Sequence, residues 1–335
     1  MLNLDKSMSG PLLALEHVNR TFTVKGQTIK AVDDINLNIQ AGEVLCLVGE
    51  SGCGKTTTGK MIAGLLPTSS GSILYRGKDI ATLTNKDRKE YRLGVQMVHQ
   101  DPYASLNPIQ TIYQILAAPL QHHRFTRGEA ETKRRVCELL QIVDLTPPDD
   151  YLDKYPHQLS GGQRQRISVA RALTVQPKFI VADEAVSMVD VSIRISLLKM
   201  FARLKDEMGV GVLLITHDLA LAKYFAWEGR IGVMYLGRIV EIGRAREIVD
   251  HPQHPYTQVL LSAIPEADPD VTRAKKRIQL RSMDMPSLLQ LPTGCPFHPR
   301  CPVFAGEVCE KVVPPLKKAD WGSDAACHLV QAHES

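Results

Sequence analysis

A glycine-rich run early in the chain has the residue types and the spacing that bind phosphate. Gly49, Gly54, Lys55 and Thr56 match the pattern G-x-x-x-x-G-K-[ST]. Glycines let backbone N–H groups curl round phosphate oxygens, while the lysine supplies a cation and the threonine hydroxyl a ligand for Mg²⁺. We therefore predict that this run, called the phosphate loop below, binds ATP and Mg²⁺. Its predicted contact residues are Gly49, Glu50, Ser51, Gly52, Cys53, Gly54, Lys55, Thr56 and Thr57.

Two acidic residues lie where phosphate chemistry would need them. Asp183 and Glu184 directly follow the apolar run Phe179–Ala182. An acidic pair after a strand is most often a solvated strand end, but the phosphate-loop lysine upstream favours a catalytic role. We predict that Asp183 holds Mg²⁺ through a water and that Glu184 orients or deprotonates the water that attacks the γ-phosphate. Lys55 belongs to the same predicted catalytic group.

Strands and helices alternate around these residues. The apolar run Val44–Val48 predicts a buried strand ahead of the phosphate loop, and Thr56–Leu65 predicts the helix after it. The apolar runs Phe179–Ala182 and Val210–Thr216 predict two more strands, with a helix near Arg194–Glu207 between them. Strands that alternate with helices imply an α/β fold whose parallel sheet is buried on both faces.

The rest of the chain adds a strand-rich edge, a helical block and a C-terminal extension. Leu12–Val18 and Ile35–Ile39 alternate apolar and polar residues in part, as half-buried strands do. Residues 102–172 are interpreted as a helical subdomain inserted into the core. After residue 262 prolines become frequent and apolar periodicity fades, so we place a domain boundary between 1–262 and 263–335. The predicted helices of the block are Ile112–Leu120, Arg127–Val143 and Gly161–Leu173.

Composition excludes several classes of protein. The 40 Lys and Arg nearly balance the 36 Asp and Glu, and no long basic block is present, so no nucleic-acid partner is expected. The N-terminus lacks the pattern of a secretory signal, and nowhere do 18 apolar residues run together. A role at a membrane would therefore depend on partner proteins. The seven cysteines are expected to be reduced thiols.

Several short segments in a fixed order carry a family resemblance. The run Leu159–Gln163, Leu-Ser-Gly-Gly-Gln, resembles the signature sequence of ABC-family ATPases and is called the signature segment below. Gln100 is similar to the Q-loop glutamine that contacts Mg²⁺, Asp190 to the D-loop aspartate, and His217 to the switch histidine that contacts the γ-phosphate. Phe22 lies where the family places an aromatic residue that stacks on adenine.

The resemblance covers roughly residues 12–262. It implies two lobes, a RecA-like core with a β-rich edge and a helical subdomain. In this family two such domains pair head to tail, so that ATP on one phosphate loop faces the signature of the other. The resemblance thus implies that Ser160 and Gly162 contact nucleotide held by a partner. Gly161, Gln163 and Asp190 are predicted to belong to the same nucleotide site.

The sequence departs from the family pattern in two places. Ala185 follows Glu184 where the family commonly has proline. The D-loop contains Met188-Val189 ahead of Asp190, where the family commonly has Ala-Leu. The charged and polar residues are retained, so ATP hydrolysis is still expected.

A closer resemblance is to the dipeptide and oligopeptide importers of this family. Residues 103–108, 254–258, 261–265 and 294–301 are similar to segments of their ATPase subunits. Such subunits are peripheral to the cytoplasmic face of the inner membrane. They work as two non-identical ATPase chains beneath two transmembrane permease subunits, with a substrate-binding protein outside. The alternatives are an importer of nickel or oligosaccharide from the same branch and a non-transport ABC ATPase that acts on DNA.

Four cysteines crowd the last 41 residues. In a proline-rich stretch with little apolar periodicity, a group of thiols suggests a metal staple. Zinc, with His298 or His328 as a further ligand, and a [4Fe–4S] cluster suit the spacing about equally, and unliganded cysteines are a third interpretation. The importer resemblance implies a structural [4Fe–4S] cluster, since similar tails in that branch hold one. The predicted ligands are Cys295, Cys301, Cys309 and Cys327.

Overall fold

Twelve strands and twelve α-helices make up the part of the chain that the structure describes. This computed structural model describes residues 10–24, 26–187, 189–264 and 277–330. The strands are β1 (Leu13–Val24), β2 (Gln27–Ile39), β3 (Val44–Val48), β4 (Ser70–Tyr75), β5 (Lys78–Asp79), β6 (Val95–Val98), β7 (Phe179–Asp183), β8 (Gly211–Thr216), β9 (Arg230–Tyr235), β10 (Arg238–Arg244), β11 (Lys317–Lys318) and β12 (Asp324–Ala325). The helices are α1 (Lys55–Ile62), α2 (Asn85–Gly94), α3 (Pro102–Ser105), α4 (Ile112–His122), α5 (Glu129–Ile142), α6 (Asp149–Leu152), α7 (Gly161–Leu173), α8 (Val191–Met208), α9 (Leu219–Phe225), α10 (Ala245–Asp250), α11 (Pro255–Ser262) and α12 (Glu307–Lys311).

The main sheet has eight strands in the order β11-β12-β10-β9-β3-β8-β7-β6. Strands β9, β3, β8, β7 and β6 run parallel. Both faces of β3 are covered, because Cys46 belongs to one buried apolar cluster and Leu47 to another. This explains the unbroken apolar run, which is typical of a parallel sheet with two covered faces. The predicted α/β core with a parallel sheet is confirmed.

The register of the main sheet gathers the loops that carry the predicted site. Val48 pairs with Thr216, and Asp183 pairs with Ile215, so β3, β7 and β8 end at the same edge. Ligands bind outside the carboxyl ends of strands in open parallel sheets. The phosphate loop after β3, the acidic pair at the end of β7 and His217 after β8 are therefore neighbours.

A second sheet, β2-β1-β4-β5, is antiparallel and forms the strand-rich edge of the core. Its inward side chains share a buried cluster with Met61 of α1 and Leu47 of β3. The predicted strands Leu12–Val18 and Ile35–Ile39 are thus parts of longer strands. Their outer halves are more exposed and carry a weaker apolar pattern, so their full length was not predicted.

The helical block lies between β6 and β7 and contains α3 to α7. Its interior is built from fully buried apolar residues such as Leu116, Leu139 and Ile167. Thr111 begins α4 with a capping box, and Gly128 precedes α5 with a positive φ of 81°. Residues at the N-cap position fix where helices begin. These helices occupy the range 102–172 apart from the last residue of α7, and their forming a separate subdomain stays a prediction.

The C-terminal extension joins the main sheet. β12 pairs with β10, with Ala325 opposite Glu241, and β11 pairs with β12. Sequence periodicity did not predict these strands, because two residues are too few to show a period of two. The extension as a separate Cys-rich module is not confirmed, and the boundary at 262 stays a prediction. Residues 1–9, Lys25, Met188, 265–276 and 331–335 lie outside the described residues.

Candidate ATP site

The phosphate loop is shaped by contacts that exclude any side chain at two of its glycines. Gly54 has φ +103°, and a Cβ there would lie 2.3 Å from the Ala31 carbonyl oxygen. A Cβ on Gly49, with φ +153°, would lie 2.2 Å from the Met234 carbonyl oxygen. Among the described residues no side chain caps the start of α1, so its first N–H groups remain available to an anion. The loop therefore has the backbone geometry of a phosphate site.

Lys55 lies inside this loop. Its Nζ donates to the carbonyl oxygens of Gly49 at 2.7 Å and Glu50 at 2.8 Å, and the residue is buried. A buried ammonium costs desolvation energy, which these two hydrogen bonds offset in part. The cation is consequently held at the phosphate loop, and no carboxylate in the described part of the chain pairs with it.

Thr56 and Asp183 form the predicted Mg²⁺ pair. The Thr56 Oγ1 donates to Asp183 Oδ1 at 2.8 Å. Burial raises the pKa of the Asp183 carboxyl above its usual range, the hydrogen bond from Thr56 opposes this, and the charge of Glu184 adds to it. Hydroxyl and carboxylate oxygens are the ligands that Mg²⁺ prefers, so the donor set fits the ion.

Two predicted residues, Gln100 after β6 and His217 after β8, meet at the carboxylate of Glu184 after β7. Gln100 Nε2 donates to Glu184 Oε2 at 2.9 Å, and His217 Nδ1 lies 3.4 Å from Glu184 Oε1. Glu184 has φ +46°, a conformation that costs a non-glycine residue about 1–3 kcal/mol. The hydrogen bonds of its backbone N–H to the Ile215 carbonyl and of Ser187 to its own carbonyl hold it there. The carboxylate is oriented at both oxygens, as a group that positions a water requires.

The signature segment leads into α7, with Leu159 buried and Ser160 exposed. Ser160 Oγ accepts from the Gln163 N–H at 3.3 Å, and Gln163 Oε1 accepts from the Ser160 N–H at 2.9 Å. A Cβ on Gly161 would meet nothing within 4 Å, whereas one on Gly162 would lie 2.6 Å from Ile193 Cγ2. The hydrogen bonds of the Ser160 side chain thus stay within its own helix.

Three further residues singled out in the sequence differ in their exposure. Asp190 is exposed and precedes α8 without capping it, and Ala185 is buried in the core. Phe22 is half-buried, and the Arg20 guanidinium lies 4.7 Å from its ring centroid. Arg20 covers one side of the ring, so a stacked base would use the other. That contact with adenine stays a prediction.

The sequence did not predict the residues that hydrogen-bond to Glu50 of the phosphate loop. Arg300 Nη1 and Nη2 donate to Glu50 Oε2 and Oε1 at 2.7 Å and 3.0 Å. The Tyr256 hydroxyl accepts from the Glu50 N–H at 3.0 Å. Both residues belong to segments that carried the importer resemblance, 254–258 and 294–301. That resemblance was the available signal, although it gave no partner for either side chain.

The structure brings the four C-terminal cysteines into one buried region. Burial raises the pKa of the Cys295 thiol to about 11, and the other three thiols act in the same direction. Burial also raises the pKa of Cys301 and of Cys327. No group of three or more His, Cys, Asp or Glu side chains among the described residues is arranged to hold a metal ion. The predicted iron–sulfur cluster and its zinc alternative are not confirmed.

The two histidines considered as zinc ligands have other contacts. His298 Nδ1 lies 3.0 Å from the Cys295 carbonyl oxygen, and His328 Nε2 lies 2.8 Å from the Val312 carbonyl oxygen. These bonds direct one nitrogen of each ring to the backbone. None of the helices in the described ranges is long and apolar enough to cross a bilayer.

Known proteins are similar to this chain over nearly its whole length. A profile of the ABC transporter family matches residues 32–187, and one of the oligopeptide/dipeptide transporter C-terminal region matches residues 240–309. The putative oligopeptide transport ATP-binding protein YkfD of Bacillus subtilis is 41% identical, covering 97% of each chain. The oligopeptide transport ATP-binding protein OppF of Haemophilus influenzae is also 41% identical, over 97% of this chain and 96% of its own.

Solved structures support the predicted RecA-like core. The dimeric post-hydrolysis structure of the ATP-binding cassette MJ0796 bound to ADP and Pi matches with a TM-score of 0.63 and 28% identity, covering 70% of this chain and 99% of that one. CbiO1 of Clostridium perfringens, part of the ABC transporter complex cbiONQ, also has a TM-score of 0.63. It is 27% identical over 72% of this chain and 92% of its own.

Proposed function

The chain belongs to the oligopeptide/dipeptide branch of the ABC transporter family, and from this premise we propose that it hydrolyses ATP to energise a peptide importer. The observation that carries the catalytic part is the meeting of Gln100 and His217 on the carboxylate of Glu184, beside the Thr56–Asp183 pair. The peptide cargo rests on the relatives, whose names describe oligopeptide transport, and on the match to the C-terminal region.

In the proposed mechanism each residue has a separate task. The N–H groups of the phosphate loop and the Lys55 ammonium bind the β- and γ-phosphates. Mg²⁺ held by Thr56 and Asp183, with Gln100 beside them, supplies positive charge against the phosphate oxygens when bound. Glu184 accepts a proton from the attacking water.

The proposal also includes the other subunits with which this chain would assemble. Two transmembrane permease subunits and a substrate-binding protein are its proposed partners, with the chain on the cytoplasmic face of the membrane. We further propose a second, non-identical ATPase chain whose phosphate loop faces the signature segment of this one. The exposed position of Ser160 and the open space around Gly161 support a ligand that comes from outside the chain.

Uptake of a labelled peptide by cells tests the cargo. Deletion of the gene should abolish uptake, the wild-type gene should restore it, and a gene carrying Glu184→Gln should not. Exposed Lys311, which pairs with Glu307 in α12 and takes no part in the proposed site, gives the matched control Lys311→Gln, and this variant should restore uptake fully. Intact peptide uptake together with lost uptake of nickel or of an oligosaccharide would contradict the peptide assignment.

Specific activity tests the second ATPase chain. The purified subunit should hydrolyse ATP slowly, and addition of the permease complex with the second ATPase chain should raise the rate sharply. A purified single subunit that reaches the full rate of the complex would contradict the heterodimer.

Although no metal-binding group is formed among the described residues, we also propose, from the resemblance to the importer branch, that the four buried C-terminal thiols hold a structural [4Fe–4S] cluster. Four thiolates are a complete ligand set for such a cluster, and spacing differs among cluster proteins. Anaerobic purification should yield coloured protein with iron and sulfide, and Cys309→Ser should lose both, while Cys137→Ser in α5 should retain them. Stoichiometric zinc would contradict the cluster, and metal-free protein with an ordered extension would contradict both metals.

A further inference from the structure

An ion pair links the C-terminal extension to the phosphate loop across 250 residues of sequence. Arg300 holds the Glu50 carboxylate with both terminal nitrogens, at 2.7 Å and 3.0 Å. The Arg300 side chain is 6% exposed and that of Glu50 is 29% exposed, so water screens the pair only in part. Paired bonds from a planar guanidinium fix direction as well as distance.

Glu50 has a partner for each of its polar groups. Its N–H donates to the Tyr256 hydroxyl at 3.0 Å, and its carbonyl accepts from Lys55 Nζ at 2.8 Å. Its side chain is held by Arg300. Glu50 follows Gly49 in the first turn of the loop, so a shift of Glu50 would move an acceptor of the Lys55 ammonium. The position of the phosphate-binding cation therefore depends on a residue bound to the extension.

Arg300 is itself held firmly by the core. It follows Phe297, whose ring packs at 5.2 Å from Tyr235 and 5.3 Å from Tyr256. The Tyr235 hydroxyl lies 3.4 Å from Arg300 Nη1, and the Arg300 N–H donates to the Phe297 carbonyl at 3.0 Å. This aromatic group anchors the guanidinium. The Glu50 carboxylate thus has a fixed counter-charge.

The charge of Glu50 matters because its ligand is an anion. An unpaired carboxylate next to a triphosphate would repel it, and the repulsion is strong where water is partly excluded. A guanidinium bound to the carboxylate cancels that repulsion. We propose that Arg300 is a positioning residue for nucleotide binding, which neutralises Glu50 and holds the first turn of the phosphate loop. The proposal rests on the proposed ATP site and is independent of the transported cargo.

Opposite changes in ATP affinity on substitution of Arg300 and of Glu50 would distinguish this role from a purely structural one. With the purified full-length chain and a fluorescent ATP analogue, Arg300→Gln should weaken binding about tenfold, since it leaves the carboxylate unpaired. Glu50→Gln should instead tighten ATP binding, because it leaves the positive charge of Arg300 without a counter-charge beside the phosphates. The double variant should bind more tightly than Arg300→Gln alone. Equal losses in both single variants would contradict the proposal.

A comparison of the affinities for ATP, ADP and AMP gives a second test. The loss caused by Arg300→Gln should be largest for ATP, smaller for ADP and smallest for AMP, because the repulsion grows with ligand charge. Arg300→Lys, which keeps the charge but loses the paired bonds, should recover part of the ATP affinity and serves if Arg300→Gln does not fold. An equal loss for all three nucleotides, or no recovery with lysine, would overturn the role of Arg300.

An ion pair in the same extension is the matched control. Lys311 and Glu307 pair at 2.7 Å on the surface, so Lys311→Gln and Glu307→Gln should leave ATP affinity unchanged. A tenfold loss in these variants would show a general effect of charge in the extension and overturn the proposal. Failure of the wild-type chain to bind ATP would contradict the proposed function itself.

Discussion

The phosphate loop and the signature segment both contain glycine and both lead into a helix, but their surroundings differ. The phosphate loop is enclosed, since Gly54 lies too close to Ala31 for a side chain and Glu50 is bonded to Arg300 and Tyr256. The signature segment is open, since Ser160 is exposed and the space around Gly161 is free. One loop is completed by its own chain. The other has the geometry of a surface that meets something outside the chain.

The difference also concerns hydrogen bonds at the two helix starts. The first N–H groups of α1 have no capping side chain, whereas in α7 the Ser160 hydroxyl takes the Gln163 N–H. An uncapped start leaves donors for an anion, and a capped start uses one internally. The phosphate loop should therefore bind nucleotide in a single chain. The signature segment should contribute only when a second ATPase domain is present.

The largest expected effect is on turnover at the phosphate-loop side. Glu184→Gln keeps the side-chain size but removes the group that accepts a proton, so hydrolysis by the assembled transporter should fall by about 10²–10⁴-fold. ATP affinity should stay close to that of the wild type, because the phosphate loop is untouched. Parallel measurement of hydrolysis and equilibrium binding checks both. Near-normal hydrolysis would remove Glu184 from the mechanism.

Loss of the phosphate-loop cation should affect binding itself. Lys55→Ala removes charge-assisted hydrogen bonds, each of about 1.5–3 kcal/mol, so ATP affinity of the isolated chain should fall roughly 10- to 100-fold. Titration of the isolated chain with labelled ATP measures this. Unchanged affinity would mean that the enclosed loop does not bind phosphate alone, and the contrast with the signature segment would fail.

A methyl group on the signature segment sharpens the comparison. Gly161→Ala meets no atom of its own chain within 4 Å, so folding and ATP binding by the isolated chain should not change. In the assembled transporter the added methyl group should face the partner's nucleotide and reduce hydrolysis about tenfold, equivalent to about 1.4 kcal/mol. Unchanged hydrolysis in the complex would contradict a role of this surface at the partner site. Gly54→Ala, in contrast, should abolish binding in the isolated chain.

The smallest expected effect is a pH dependence of the free energy of unfolding that comes from His254, a neighbour of Tyr256. Burial lowers the pKa of His254 from 6.5 to about 3, and its Nδ1 accepts from the Tyr256 N–H at 3.0 Å. Because the unfolded chain takes up a proton at higher pH than the folded chain, stability is lost as pH falls below 6.5. The loss from this residue should be about 1.4 kcal/mol at pH 5.5.

A variant isolates that contribution from other titrating groups. His254→Asn keeps a side-chain acceptor for the start of α11 but removes the ionisable ring. The neighbouring Glu241 carboxyl, whose pKa burial raises, is common to both proteins, so its effect cancels in the difference. Denaturant unfolding of both proteins between pH 5 and 8 measures the difference. A difference that does not change with pH would contradict the assignment to His254.

Local signals predicted much of this architecture. The predicted bounds of β3 and α7 agree with the structure residue for residue, because a fully apolar run and a serine cap are both local features. The predicted residues around Glu184 also meet, since their motifs follow strands of one parallel sheet. Whether they bind nucleotide stays a prediction.

Long-range pairings were not predictable in the same way. The bond between Arg300 and Glu50 joins positions 250 residues apart, and neither residue has a local pattern that names the other. The strands β11 and β12 are two residues long, and their formation depends on β10 being available beside them. The spacing of the four C-terminal cysteines left zinc, an iron–sulfur cluster and unliganded thiols open as alternatives.

The pairing of β12 with β10 has a consequence for solubility. β10 carries Ile239, Val240 and Ile242, and without β11 and β12 it would present unpaired N–H and C=O groups at the edge of the remaining six-stranded sheet. Such an apolar edge is a template for pairing with another chain. The extension replaces it with β11, only two residues long and formed by Lys317 and Lys318, which are poorly suited to add a further strand. A chain shortened before residue 317 would therefore aggregate edge to edge before it met its permease partners.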